Sequence, residues 1–213
     1  MRYISKAFVA LMLVVLCTAP AMANELTDRI QARYESIKTF SADFTQSLTS
    51  AQTGEASKRS GKILFKQPGL IRWDTAKPEK ELLIVGPDSV WNYFAEEELA
   101  VKYGKDQIFD SKNMVKFISG QANLAADFYI EEQGVEDGLL KIKLIPQEPE
   151  ANMVLAFIWV NEATGQLFKY LIVDFYGNGN EVALSSVKEN IIIDDKEFTF
   201  TPPEGVDVED NTQ

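Results

Sequence analysis

The feature that most restricts the fold is a change of period at Thr39. Before it, Leu26, Ile30, Tyr34 and Ile37 fall at spacings of four, four and three, one face of an amphipathic helix over residues 25–38. After it, apolar and polar residues alternate. Phe40, Ala42 and Phe44 oppose Ser41, Asp43 and Thr45; Ile63 and Phe65 oppose Lys62 and Lys66; Ile71 and Trp73 oppose Arg72. Such alternation marks strands with one buried face. Further strands are expected over 81–85, 89–94, 99–103, 127–132, 139–145, 153–160, 166–176, 181–193 and 197–201. Turns between them are marked by Pro68-Gly69, Gly86-Pro87-Asp88, Asp137-Gly138, Ala163-Thr164-Gly165 and Gly177-Asn178-Gly179. Beyond Pro202-Pro203 the acidic tail is expected to be loose.

Short loops make sequential strands antiparallel neighbours. The expected architecture is therefore mainly β, one large antiparallel sheet of about ten or eleven strands. A sheet of that size curls under its own twist, and helices or a ligand must cover the concave side. A second helical interval is expected near 110–120, opened by Asp110 or Ser111 and ended by Gly120. Its residues Met114, Val115, Phe117 and Ile118 leave little polar face for water. Residues 153–160 (MVLAFIWV) are apolar on both faces and require cover on each. The pattern leaves two arrangements open: a lid of two or three helices over a hydrophobic cavity, or a fully packed sheet sealed by helices. A transmembrane barrel fits poorly, because helices interrupt the strands and no consistent lipid-facing apolar row is present.

The first residues are expected to be a secretory leader. Arg2 and Lys6 precede an apolar run from Ala7 to Leu16, and Ala21-Met22-Ala23 supplies small residues for cleavage after Ala23. The run is shorter than the ~20 residues that cross a bilayer. Leu16 is too large for the residue before an acylated cysteine at Cys17. Residues 24–213 then form one domain whose formal charge moves from −11 to −13 as Arg2 and Lys6 leave. A chain this acidic is not expected to bind nucleic acid.

The chain has no histidine, and Cys17 is its one cysteine. Ser-His-Asp and Cys-His catalysis and the usual zinc sites are thereby removed, and neither a metal nor a cofactor is expected. The neighbouring carboxylates of Glu96-Glu97-Glu98, Glu131-Glu132 and Asp194-Asp195 are better read as solvated turns than as an acid and base pair, since adjacent strand residues point to opposite faces. No enzymatic activity is expected.

Four segments in order carry a resemblance: Phe40-Ser-Ala-Asp-Phe44-Thr-Gln46; Ser60-Gly-Lys-Ile-Leu-Phe65-Lys-Gln-Pro68-Gly-Leu-Ile-Arg72-Trp73; Val90-Trp91-Asn-Tyr93; and Phe198-Thr-Phe200-Thr-Pro202-Pro203-Glu-Gly205. Together they resemble the periplasmic outer-membrane lipoprotein carrier family, LolA, and the resemblance implies an incompletely closed antiparallel β-barrel with a helical lid over a hydrophobic cavity. The resemblance implies a shuttle that takes acylated lipoproteins from an ATP-driven lipoprotein-releasing transporter of the inner membrane, shields their acyl chains, and passes them to an outer-membrane lipoprotein acceptor. A periplasmic monomer is expected. Strand parity then assigns Phe40, Phe44, Ile63, Phe65, Ile71 and Trp73 to the inner wall of the lipid-binding cavity, and Met114, Val115, Phe117 and Ile118 to the lid. The family's Lys-Arg-Pro pattern, whose arginine latches the lid, stands here as Lys66-Gln67-Pro68, so Gln67 holds the latch position without its charge. Neutral hydrogen bonds are roughly half as strong as charge-assisted ones. A periplasmic binder or sensor of another amphiphile is the alternative on the same fold.

Overall fold

The computed structural model describes residues 19–105 and 122–212. Helix α1 (Ala19–Ser36) is followed by β1 (Thr39–Thr49), β2 (Ala56–Lys66), β3 (Leu70–Lys77), β4 (Glu81–Val85), β5 (Ser89–Phe94) and β6 (Leu99–Gly104). A single-turn helix α2 (Leu124–Asp127) then precedes β7 (Phe128–Glu136), β8 (Leu139–Pro146), β9 (Leu155–Val160), β10 (Leu167–Val173) and β11 (Gly179–Glu189). A 3-10 turn (Asp195–Phe198) leads to β12 (Asp207–Asn211).

The strands form one twelve-stranded sheet in the order β12-β6-β5-β4-β3-β2-β1-β11-β10-β9-β8-β7. Its two ends, β12 and β7, do not pair with each other, so the sheet is open. Two antiparallel meanders, β1 to β6 and β7 to β11, meet where β1 pairs with β11. Register carries the alternation of each strand across its neighbours. Phe40 faces Phe65, Phe65 faces Ile71, and the row continues through Val85, Val90 and Tyr103. On the other side of the seam, Val182, Tyr170, Ile158 and Ile142 form a matching buried row. These rows make one apolar face, and α1 covers part of it with Leu26 and Ile30.

One position in the inner rows has no side chain. Gly61 faces Phe44 on β1, and a Cβ placed there would lie 1.9 Å from the Asp74 carbonyl oxygen across a register shift in β2 and β3. The ring of its cross-strand partner Phe44 lies 4.5 Å from that of Trp73.

The outer face is finished in two ways. Over β4 to β6 the C-terminal segment lies on the sheet: Phe198 is fully buried, and Phe200 sits 5.5 and 5.4 Å from Trp91 and Tyr93. Ile84 and Ala100, which point away from the inner rows, are buried on this side. Over β8 to β10, Trp159 is flanked in register by Lys141 and Lys169, whose ammonium groups lie 4.9 and 3.9 Å from its ring centroid. Glu136 ties the group together, accepting from Lys141 at 2.9 Å and from the Trp159 indole at 3.1 Å.

The end of the chain departs from the expected pattern. Residues 197–201 alternate as a strand would, yet Asp194 accepts from the Lys196 amide and Thr199 N donates to the Lys196 carbonyl, closing a 3-10 turn instead. A short polar side chain at a turn start competes with the ladder for backbone donors. The acidic tail is correspondingly ordered: β12 pairs parallel with β6, and Asp210 lies 3.7 Å from Lys102. It is the twelfth strand, and every residue in it is exposed.

Two expectations follow. Gly61→Ala should cost about 2–3 kcal/mol in urea unfolding, because the added methyl meets backbone and cannot be accommodated by rotamer change. The Lys141 hydrogen bond, opposed by a smaller desolvation cost, holds the Glu136 carboxyl below the ordinary carboxylate range. Its contribution is thus present above that range and lost as pH falls through the depressed value. Glu136→Gln should lower the urea midpoint at pH 7, and the gap from the parent should close in acid.

Candidate functional site

The six wall residues named from parity lie on β1, β2 and β3 and share one face of the sheet. Phe44, Ile63, Phe65 and Ile71 are buried in the core; Phe40 and Trp73 are half-buried. The Phe40 and Phe65 rings stack at 5.4 Å, with Phe44 against Trp73 beyond them. Phe40, Ile63 and Trp73 border a cavity of about 90 Å³ closed by Tyr34 and Ile37 at the end of α1 and by Leu184 and Val187 of β11. A second space of about 40 Å³ lies beside it, between α1, Leu124, Ile158, Val160 and Leu167. One water occupies ~30 Å³ in the liquid. Neither space admits a long apolar chain, so the wall is filled by the protein's own side chains. Within this wall, burial pushes the Tyr170 phenol upward, keeping it neutral. Met114, Val115, Phe117 and Ile118 lie outside the described residues.

Polar contacts at the rim hold α1 on the apolar face. Arg33 donates to Glu189 Oε2 at 2.6 Å, with both side chains partly buried, and among the described residues its buried Nε finds no hydrogen-bond partner. Glu189 stands opposite Phe40 in the ladder, which places its carboxylate at the cavity edge. Arg29 donates to the Glu162 carbonyl at 2.8 Å. The Gln31 amide donates to the Ala122 carbonyl and accepts from Leu124 N, tying α1 to α2. Gln67 lies in the turn after β2. Its backbone N donates to the Lys38 carbonyl at 2.8 Å, and its side-chain oxygen accepts from Lys38 Nζ at 3.1 Å. It therefore holds the link that follows α1, whereas the charged contact to the helix itself is made by Arg33. Parity alone does not expose the Arg33 pair; its one sequence signal is a charge next to Tyr34 on the helix's apolar side.

Toward the other end of β1 the inner face turns polar. Gln46 donates to Asn180 at 2.9 Å. Arg59 pairs with Glu81 at 2.5 Å, and Asn92 donates to the same carboxylate at 3.1 Å. Next to them opens a pocket of about 680 Å³ between the β1–β2 and β10–β11 turns, with Leu48 and Ile172 at its base and Thr49, Ser57, Asn152 and Asn180 on its walls. The β10–β11 turn is built around Asp174, whose carboxylate accepts from Tyr176 N, Asn178 N and Asn178 Nδ2 at 2.8–2.9 Å. Burial alone would raise this carboxyl; the hydrogen bonds from Asn178, Tyr176 and Gly177 together outweigh it and hold it low. Asn178 in turn accepts from Ala51 N at 3.0 Å, so the two hairpin ends are fixed to each other.

An open, curled sheet with a helix on its apolar face also fits the comparisons with known proteins. In solved structures, an uncharacterized conserved protein from Thermus thermophilus superposes with a TM-score of 0.55 at 14% identity, covering 89% of this chain and 99% of that one. The Mycobacterium tuberculosis lipoprotein LppX gives 0.53 at 13% identity, covering 83% and 100%. These likenesses concern the fold. In sequence, the chain is 28% identical over 200 residues to the outer-membrane lipoprotein carrier protein of Methylococcus capsulatus, covering 93% of this chain and 95% of the relative. The family model described as outer membrane lipoprotein carrier protein LolA matches residues 35–201, a span from the end of α1 past the 3-10 turn. With β1 to β11 all inside that span, the chain belongs to the LolA family.

Proposed function

We propose that this protein is a periplasmic carrier of outer-membrane lipoproteins and that the apolar face beneath α1 shields their acyl chains. The observation that carries the reading is a wall of Phe40, Phe44, Ile63, Phe65, Ile71 and Trp73, partly covered by a helix whose charged contact to the sheet is a rim ion pair. The family match and the carrier relatives support it. Residues 1–23 direct export, residues 24–213 are the carrier, and Met114, Val115, Phe117 and Ile118 extend the roof. The cargo is received from the inner-membrane ATP-driven transporter and given to the outer-membrane acceptor by a monomer that performs no covalent chemistry.

Magnitudes explain why the wall fills itself. Each methylene buried gains ~0.8 kcal/mol, so full burial of three long acyl chains approaches ~30 kcal/mol, beyond the ~20 kcal/mol at which real affinities saturate. A carrier that held its cargo so tightly would not release it. Cargo that must first lift α1 from Phe40 and Trp73 and part Arg33 from Glu189 retains only the difference.

The direct test is incubation with spheroplasts. Lipoproteins should appear in soluble complexes with the protein, and their absence from the soluble fraction would end the carrier reading. Glu189→Gln, which keeps the shape and removes the charge, should lower the cost of lifting α1 by ~1 kcal/mol, tightening cargo binding and slowing transfer to the acceptor about fivefold. Gln67→Leu removes only the Lys38 contact and should shift transfer less. Both are read from the rate at which labelled lipoprotein leaves the complex.

A further inference from the structure

We propose that the polar end of the concave face is a head-group subsite that accepts uncharged or cationic groups next to the acyl chains and rejects phosphate. The protein then separates acylated peptides from anionic phospholipids by charge. This inference rests on the carrier reading and specifies its substrate class.

The inner-face residues of β1 run Phe40, Ala42, Phe44, Gln46, Leu48. At ~3.4 Å per residue, Phe40 to Phe44 covers ~13 Å, close to the ~15 Å that one leaflet's hydrocarbon occupies. A chain lying along this stretch ends at the Gln46–Asn180 hydrogen bond, and what is attached to it enters the pocket of about 680 Å³. That pocket offers the hydroxyls of Ser50, Thr53 and Ser57, the amides of Asn152 and Asn180, and the Glu55 carboxylate, and among the described residues no lysine or arginine lines it. The neighbouring inner-face arginine, Arg59, is already paired with Glu81, and Arg33 at the far rim with Glu189.

Hydroxyl and amide groups satisfy a peptide backbone, and a carboxylate satisfies an ammonium. A phosphate placed there finds no free cation among the described lining residues and meets Glu55 instead. It would have to give up its hydration without a charged partner, or break the Arg59–Glu81 pair. Discrimination of this kind works by penalising the wrong ligand rather than by gripping the right one more tightly.

The test uses two probes with the same chains: a dipalmitoylglyceryl-cysteinyl-serine amide and dipalmitoyl phosphatidate, each displacing a neutral fluorescent reporter from the purified mature protein. The peptide-headed probe should bind about tenfold tighter. Ser57→Lys and, separately, Glu55→Lys should each raise phosphatidate affinity about fivefold, weaken the peptide-headed probe by removing a group that pairs with it, and lose the phosphatidate gain in high salt. Both positions are exposed. Equal affinity of the parent protein for the two probes overturns the subsite, as does a phosphatidate affinity that neither folded lysine variant moves. Failure of both probes to displace the reporter from the parent protein is a different result, which removes the carrier reading and the subsite with it.

Discussion

The structure depends first on the pairing of β1 with β11. Each meander alone has an apolar face and two open edges, and a strand edge left unpaired is a template for association. Joining them edge to edge gives one sheet long enough to curl and leaves only β7 and the acidic β12 at its ends. The same pairing puts Glu189 opposite Phe40 and Leu184 opposite Phe44, so both halves of the chain supply the wall that α1 covers. The helix precedes β1 directly and can reach only the part of the face near the start of that strand. That reach is why the apolar cover from α1 lies over Phe40 and Trp73 and, among the described residues, does not extend to Gln46 and Asn180.

Strand faces were legible where alternation was unbroken, and β1 to β3 are the clearest instance. Ladder register preserves parity, so Phe40, Phe65 and Ile71 had to share a face once the strands paired in order. Gly61 was not legible as a requirement, because its need arises from the Asp74 carbonyl across a register shift that no local pattern announces. The tail failed for a related reason. A parallel edge strand held by backbone bonds and one lysine needs no apolar alternation, and Asp207–Asn211 shows none. In 197–201 the alternation was real, but Phe198 and Phe200 use it to cover the outer face from a turn rather than to extend the sheet.

The candidate site divides along the same line. Apolar wall residues declare themselves by period, whereas polar contacts between distant segments do not. Arg33 and Glu189 are separated by 156 positions, and nothing in either neighbourhood links them. Gln67 could be singled out only because a family pattern places an arginine there, and its side chain meets Lys38 after α1. In this structure the ion pair to α1 is made by Arg33 with Glu189, and the β2–β3 turn meets Lys38 through the neutral Gln67 side chain.

Where the contact sits does alter what opening requires. A latch at the β2–β3 turn would fix the far edge of a roof and leave α1 free to hinge about its junction with β1. Arg33 is on the last turn of α1, close to that junction, and Arg29 and Gln31 fasten the preceding turn to Glu162 and α2. Contacts grouped along one helix face must be lost together if the helix moves as a rigid body, so the opening cost is concentrated in α1. Among the described residues, that single movement would uncover the wall next to Phe40, whereas the polar zone at Gln46 lies beyond the reach of α1.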